Sequence, residues 1–202
     1  MSTSRIEAFS DGVFAIAITL LVLEIHVPEH PEVGLGRALL DQWPAYASYI
    51  VSFFVIGIIW INHHAIFDHL VRVDRNLLFL NLLLLLWVGL LPWPTNVFGT
   101  YMQEGGADER VAAILYTGVM TLMGVSFGAL WTYATRHRNL IGETLSDEEI
   151  RVRTRRFTIG APVYGYAMLV ALVSAPACLV INALLAIYYA VPAGEAMPHR
   201  RI

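Results

Sequence analysis

The sequence predicts an all-α integral membrane protein with six transmembrane helices and no separate soluble domain. Three observations carry this. Apolar residues make up 57% of the 202 positions. Charged residues make up 14%, where soluble domains carry roughly 25%. And the apolar residues fall into segments of the length a membrane helix needs, about 20 residues each.

The first segment covers residues 6–27. Glu7 and Asp11 interrupt it, and it ends at Glu24-Ile25-His26-Val27-Pro28 without a small-x-small cleavage site, so it is expected to stay as a membrane helix. The second runs over 43–67 and opens on Trp43. The third covers 74–95 and is expected to end at Pro92-Trp93-Pro94. The fourth covers 108–135. Between 136 and 156 lies the longest polar stretch. There Ser146-Asp147-Glu148-Glu149 has the pattern of a helix N-cap followed by acids in the first turn, which predicts a short helix outside the membrane. The last apolar stretch, 157–192, holds 36 residues. As one helix it would be about 54 Å long, against a hydrocarbon core of about 30 Å. It is therefore read as a hairpin, 157–174 and 177–192, turning at Ser174-Ala175-Pro176.

Charge sets the orientation. All thirteen basic residues are Arg. With six spans and the N-terminus inside, eleven of them fall on the inner side and only Arg37 and Arg110 outside. That matches the positive-inside rule. The outer loops are acidic, with Glu29, Glu32, Asp41, Glu104, Asp108 and Glu109. Trp43, Trp93, Tyr101, Trp131 and Tyr188 lie near span ends, where amphipathic rings favour the headgroup level. The lone Cys178 excludes an intrachain disulfide and is read as a small packing residue.

The first helix is the most informative segment. An ionisable residue inside a span is costly and faces protein or water rather than lipid, so Asp11 needs partners. Two readings stand: a helix-packing network, or an ion site. On a helical wheel Ile16, Leu20 and Leu23 lie within about 60° of one another, with Gly12 and Thr19 flanking and Asp11 nearly opposite. At the end of the second segment, Trp60-Ile61-Asn62-His63-His64 leads to Asp68 and His69. His64 and Asp68 are four apart, a metal-compatible spacing. No second ligand cluster accompanies them, so the histidines are read as hydrogen-bonding to neighbouring helices, and no metal site is expected. Asn81 and Asn182 are read the same way, as buried amides between helices. No Thr-Val-Gly-Tyr-Gly filter, phosphate loop or hydrolase elbow occurs.

Arg5-x-x-x-Phe9-Ser10-Asp11 in a first membrane helix resembles the signature of the lysosomal potassium-channel family (transmembrane protein 175) and its bacterial relatives. The likeness continues through Ala15-Ile16-Ala17-Ile18-Thr19-Leu20-Leu21-Val22-Leu23-Glu24. It extends to Trp60, the paired histidines, and Asn81 in a Leu-rich third helix. The resemblance implies a homotetramer in the cell membrane with both termini cytoplasmic and a central pore lined by the first helix. It implies an aliphatic constriction at Ile16, Leu20 and Leu23, with Thr19 as the polar pore-lining position. Arg5, Phe9, Ser10, Asp11, Trp60, His63, His64 and Asn81 would then form the network that holds the first helix in place. Which histidine makes the contact is left open at this stage.

The function this implies is a potassium-permeable channel in which the aliphatic ring acts as gate and selectivity element. The alternatives are a proton or non-selective monovalent-cation leak, a secondary transporter, and a membrane metalloenzyme built on His63, His64, Asp68 and His69. No catalytic residue, cofactor or nucleic-acid partner is expected. The expected partners are further copies of the chain, the lipid bilayer and permeating monovalent cations, potassium first.

Overall fold

A computed structural model describes residues 3–26, 28, 34–142 and 145–191. The described residues form helices α1 (Thr3–Leu20), α2 (Leu35–Asp41), α3 (Trp43–Phe67), α4 (Arg75–Leu90), α5 (Pro92–Tyr101), α6 (Gly106–Arg136), α7 (Asp147–Ala171) and α8 (Ala175–Ala190), and a 3-10 turn over Leu21–Glu24. Among the described residues, four stretches are long and apolar enough to cross a membrane: Thr3–Glu24, Trp43–Phe67, Arg75–Tyr101 and Gly106–Arg136. Ala175–Ala190 is a shorter apolar helix.

Local chemistry explains the boundaries. Asp74 caps α4 by accepting from the Leu77 N–H at 2.8 Å, satisfying one of the orphan donors of a helix start. The Tyr133 hydroxyl donates to the other carboxylate oxygen at 2.7 Å. The Leu77 amide holds this carboxyl below its ordinary range, desolvation opposes it, and the Tyr133 hydroxyl adds a smaller lowering. Gly105 and Gly106, at φ 71° and 73°, take the chain from α5 into α6. That left-handed geometry strains any side-chain-bearing residue. Val71 N–H donates to Leu140 O at 2.9 Å, so the loop after α3 is pinned to the loop after α6.

The third apolar segment does not stop at 95. Leu91 keeps helical angles (φ −56°, ψ −34°), Pro92 opens α5 directly, and the helix continues to Tyr101. Proline is tolerated in a first helical turn, where its missing N–H has no partner to lose. The segment predicted as a short helix before 157 and the fifth apolar segment are also one element. Ser146 and Glu149 form a reciprocal capping box, and α7 then runs unbroken for 25 residues with Pro162 inside it. No helix breaker stands between the capping box and the apolar turns, so the arginine-rich part is helical too. The chain turns after Leu172. The Ser174 hydroxyl caps α8 by accepting from Ala177 N–H at 3.3 Å, with Pro176 in the first turn.

The core sits mainly around α6, whose Tyr116, Met120, Met123, Leu130 and Trp131 are fully buried. The Ser52 hydroxyl bridges Thr95 Oγ1 (2.8 Å) and Tyr116 Oη (2.9 Å), tying α3 to α5 and α6. Helices α3 and α5 approach closely. A Cβ on Gly99 would lie 2.8 Å from Ser48 Oγ and 2.9 Å from Ala45 Cα, so only hydrogen fits there. Small residues at such crossings let membrane helices gain packing energy. Cys178 is a free, buried thiol beside Thr117 Oγ1 at 2.8 Å.

Candidate functional site: the two faces of the first helix

Helix α1 buries Ile6, Ser10, Phe14 and Ala17, and Leu21 continues this face in the 3-10 turn. The spacing of four, four, three and four residues is the period of one helical face. The opposite face is bare. Ile16 is 61% exposed, Leu20 41% and Leu23 70%, and Thr19 lies exposed beside them. The last turn tightens to a 3-10 helix at Leu21–Glu24. The predicted helix end at 27 is therefore not reached: Ile25 is a bend, and Val27 lies outside the described residues.

The inward face carries a chain of polar side chains across three helices. The Ser10 hydroxyl donates to Ile6 O at 2.9 Å and accepts from Asn81 Nδ2 at 3.0 Å. Asn81 Oδ1 lies 2.8 Å from His63 Nε2. With the amide so oriented, His63 must carry its proton on Nε2. Its ring lies flat on Phe67, centroids 4.3 Å apart, and packs against Phe14 at 5.3 Å. All three polar residues are buried. Nδ1 of His63 has no hydrogen-bond partner among the described residues. In this tautomer it is an acceptor lone pair.

A second set of contacts lies alongside. The Trp60 indole N–H donates to Asp11 Oδ1 at 2.8 Å. One turn further, His64 Nδ1 lies 2.7 Å from Glu7 Oε1, and its Nε2 lies 3.8 Å from Asp68 Oδ2. The His64 ring stacks on Trp60 at 6.2 Å. Glu7 and Asp11 are one turn apart on α1, and Trp60 and His64 are one turn apart on α3. The helices run antiparallel, so the two pairs meet as rungs of a ladder.

The structure thus brings together Ser10, Asp11, Trp60, His63, His64 and Asn81. Both histidines reach the first helix: His63 through Asn81, His64 through Glu7. Arg5 and Phe9 stand outside the network, and both are exposed. Glu7 was not singled out from sequence. Its signal was present, as an i, i+4 acidic pair facing an i, i+4 Trp/His pair.

Thr19 Oγ1 lies 2.9 Å from both Ala15 O and Ile16 O. A hydroxyl has one hydrogen, and here the helix backbone takes it. The oxygen lone pairs stay available on the bare face. Beyond the C-terminal end of α1, Glu24, His26, Asp41, Asn96 and Gln103 line a polar recess. Asn96 Nδ2 donates to Glu24 O at 2.9 Å and closes the 3-10 turn against α5.

These features define a multi-pass helical membrane protein whose first helix is polar-bonded to its neighbours on one face and bare and aliphatic on the other. The chain belongs to the family described as endosomal/lysosomal potassium channel TMEM175, whose profile matches residues 5–92, the stretch that holds the whole polar network. A potassium channel of Streptomyces collinus is 48% identical over 188 residues, covering 93% of this chain and 91% of that protein. The crystal structure of a lysosomal potassium-selective channel TMEM175 homolog from Chamaesiphon minutus is similar with a TM-score of 0.84 at 39% identity, covering 93% of this chain and 96% of that one. The endosomal/lysosomal proton channel TMEM175 of Gallus gallus is 36% identical over 147 residues, which are 68% of this chain and 29% of that longer protein. The family is one of ion channels, not of enzymes.

Proposed function

We propose that this chain is the subunit of a potassium-permeable cation channel. Four copies assemble around a central pore, and the bare face of α1 lines it. Each copy is one channel domain crossing the cell membrane six times, with both ends in the cytoplasm. The four long apolar stretches supply four crossings, and α7 and α8 the other two. Helix α8 has 16 residues, about 24 Å, and a modest local thinning of the bilayer accommodates it.

The observation that carries this reading is the division of α1. A helix that spends its polar groups on its neighbours and leaves Ile16, Leu20 and Leu23 uncovered needs something for that stripe to face. Lipid alone is one answer. Membership of a channel family and the similarity to a potassium-selective homolog support the other, a symmetry axis. Self-association into a closed ring is the usual way a small subunit makes a conduit. Aliphatic rings offer no oxygen to replace the hydration shell of an ion. They gate by dewetting and conduct when they widen. Thr19, with its lone pairs free, adds the polar ring at the same level. Ser10, Asp11, Trp60, His63, His64 and Asn81 act in this reading as the support of the pore helix rather than as ion ligands, whereas Arg5 and Phe9, exposed on the subunit, take no part in that support.

A second reading, a proton or non-selective monovalent-cation pathway through the same pore, has its support in the Gallus relative, which is named a proton channel.

The test is ion flux from liposomes carrying the purified protein under potassium, sodium and proton gradients in turn, comparing wild type with Ile16→Asn. The expected result is potassium flux exceeding sodium flux, with the ratio changed by the substitution. Flux only under a proton gradient supports the second reading. No flux under any gradient, from protein shown to be a folded tetramer, contradicts both.

A further inference from the structure

We propose that Glu7, His64 and Asp68 form a divalent-cation site of the zinc class that bridges α1 and α3. One ring nitrogen of His64 and one carboxylate oxygen from each acid lie within 4.8 Å of one another. Zinc binds imidazole nitrogen and carboxylate oxygen at about 2.0–2.2 Å. The donor atoms therefore need only small side-chain rotations to converge. Two of the three ligands lie one turn apart, His64 in the last turn of α3 and Asp68 at its C-cap, where the Asp68 N–H donates to His64 O at 3.0 Å, so the backbone sets their spacing. The third comes from a different helix, so the ion would clamp the two together.

Charge and access both favour a cation here. Two carboxylates flank a single imidazole. With the imidazole neutral, as metal binding requires, the cluster carries two negative charges, which a divalent ion balances. The side chains of His64 and Asp68 are 49% and 59% exposed, so an ion reaches them from solution. The ring is already oriented by its stack on Trp60.

The ligand set selects the metal. Calcium takes six to eight oxygen ligands, and magnesium keeps an octahedral shell rich in water. Three protein ligands including an imidazole, with one position left for water, suit zinc and its late first-row neighbours. His63, one residue away, is excluded because its ring is buried and bonded to Asn81. The site lies on the side of α1 away from the aliphatic stripe, so its existence does not depend on the pore assignment.

The experiment is equilibrium dialysis of the untagged full chain, purified in detergent, against zinc at neutral pH, with bound metal counted by mass spectrometry. Wild type is compared with Glu7→Gln and Asp68→Asn, each confirmed monodisperse by size exclusion. Both substitutions keep the shape of the side chain and remove its charge. The expected result is one zinc per chain in wild type, and binding weaker by at least about tenfold in each variant. Zinc should also raise the thermal midpoint of wild type and not of the variants. No zinc in wild type, or wild-type binding in either variant, overturns the assignment.

Discussion

Asn81 and Asn182 are both fully buried amides in apolar helices, and the structure uses them differently. Asn81 in α4 donates to Ser10 of α1 and lies 2.8 Å from His63 Nε2 of α3, so one side chain joins three helices. Asn182 in α8 donates to Cys178 O at 2.9 Å, within its own helix, and its Oδ1 has no partner among the described residues. The difference extends to their surroundings. Around α1, α3 and α4, directional side-chain hydrogen bonds set helix position. Around α6, α7 and α8 the hydrogen bonds between helices bypass Asn182: the Trp131 indole N–H donates to Thr154 Oγ1 at 2.8 Å and the Tyr189 hydroxyl donates to Arg156 O at 3.1 Å, beside Phe157, which meets Phe127 and Trp131 edge-on at 4.9 and 5.3 Å. Burial alone says nothing about what a polar group contributes. Its reach across helices does. A region positioned by hydrogen bonds is held in one register, which is what a pore helix requires.

Substitutions can break that contrast. Asn81→Leu leaves His63 Nε2–H and the Ser10 oxygen without their partner in a dry interior. The expected loss is about 2–3 kcal/mol, read as a lower thermal midpoint of the oligomer in detergent. Asn182→Leu removes a bond within one turn together with an unsatisfied carbonyl oxygen, and should change the same midpoint by no more than about 0.5 kcal/mol in either direction. Equal losses for the two would remove the distinction between the two amides.

Gly99→Ala probes packing in the hydrogen-bonded half. The added methyl meets Ser48 Oγ and the Ala45 backbone inside 3.0 Å, and overpacking of that kind should cost about 1–2 kcal/mol. Gly118 in α6 has no heavy atom within 4 Å of an added Cβ. Gly118→Ala should therefore cost nothing and raise the midpoint by up to about 1 kcal/mol, alanine being the better helix former.

The smallest effect lies at the start of α7. Ser146→Ala removes the side-chain half of the capping box and should lower the midpoint by about 1 kcal/mol or less. The Ser146 hydroxyl and backbone N–H hold the Glu149 carboxyl below its ordinary range. A lowered folded-state value means the stabilisation is present above the unfolded-state value and is lost as pH falls through the folded one. The gap between Ser146→Ala and wild type should thus close in acid.

The sequence made the first helix legible because its charges and its aliphatic stripe fall on opposite sides of a single period. Asp11 needed a partner and has one in Trp60, and the stripe read on the wheel lies exposed on the subunit. The choice between His63 and His64 was not legible, because it depends on the rotation of α3 against α1 and α4. The answer is that both histidines are used. Arg5 was expected in the network and is exposed, since nothing in a motif says which of its members face inward. Pro92 read as a stop because proline ends a helix from within, yet at a first position it begins one. The α7 boundary failed for a related reason: the change from arginine-rich to apolar at 157 is a change of solvent, and the backbone does not register it.

The account rests on the bare stripe of α1 facing an ion pathway. Cysteine accessibility tests this directly, because the only native thiol, Cys178, is buried. Leu23→Cys should place a reactive thiol in the pore, and a cationic thiol reagent should then stop potassium flux from liposomes while leaving wild type unaffected. Flux that continues unchanged after complete modification, verified by mass, would put the stripe against lipid and contradict the account.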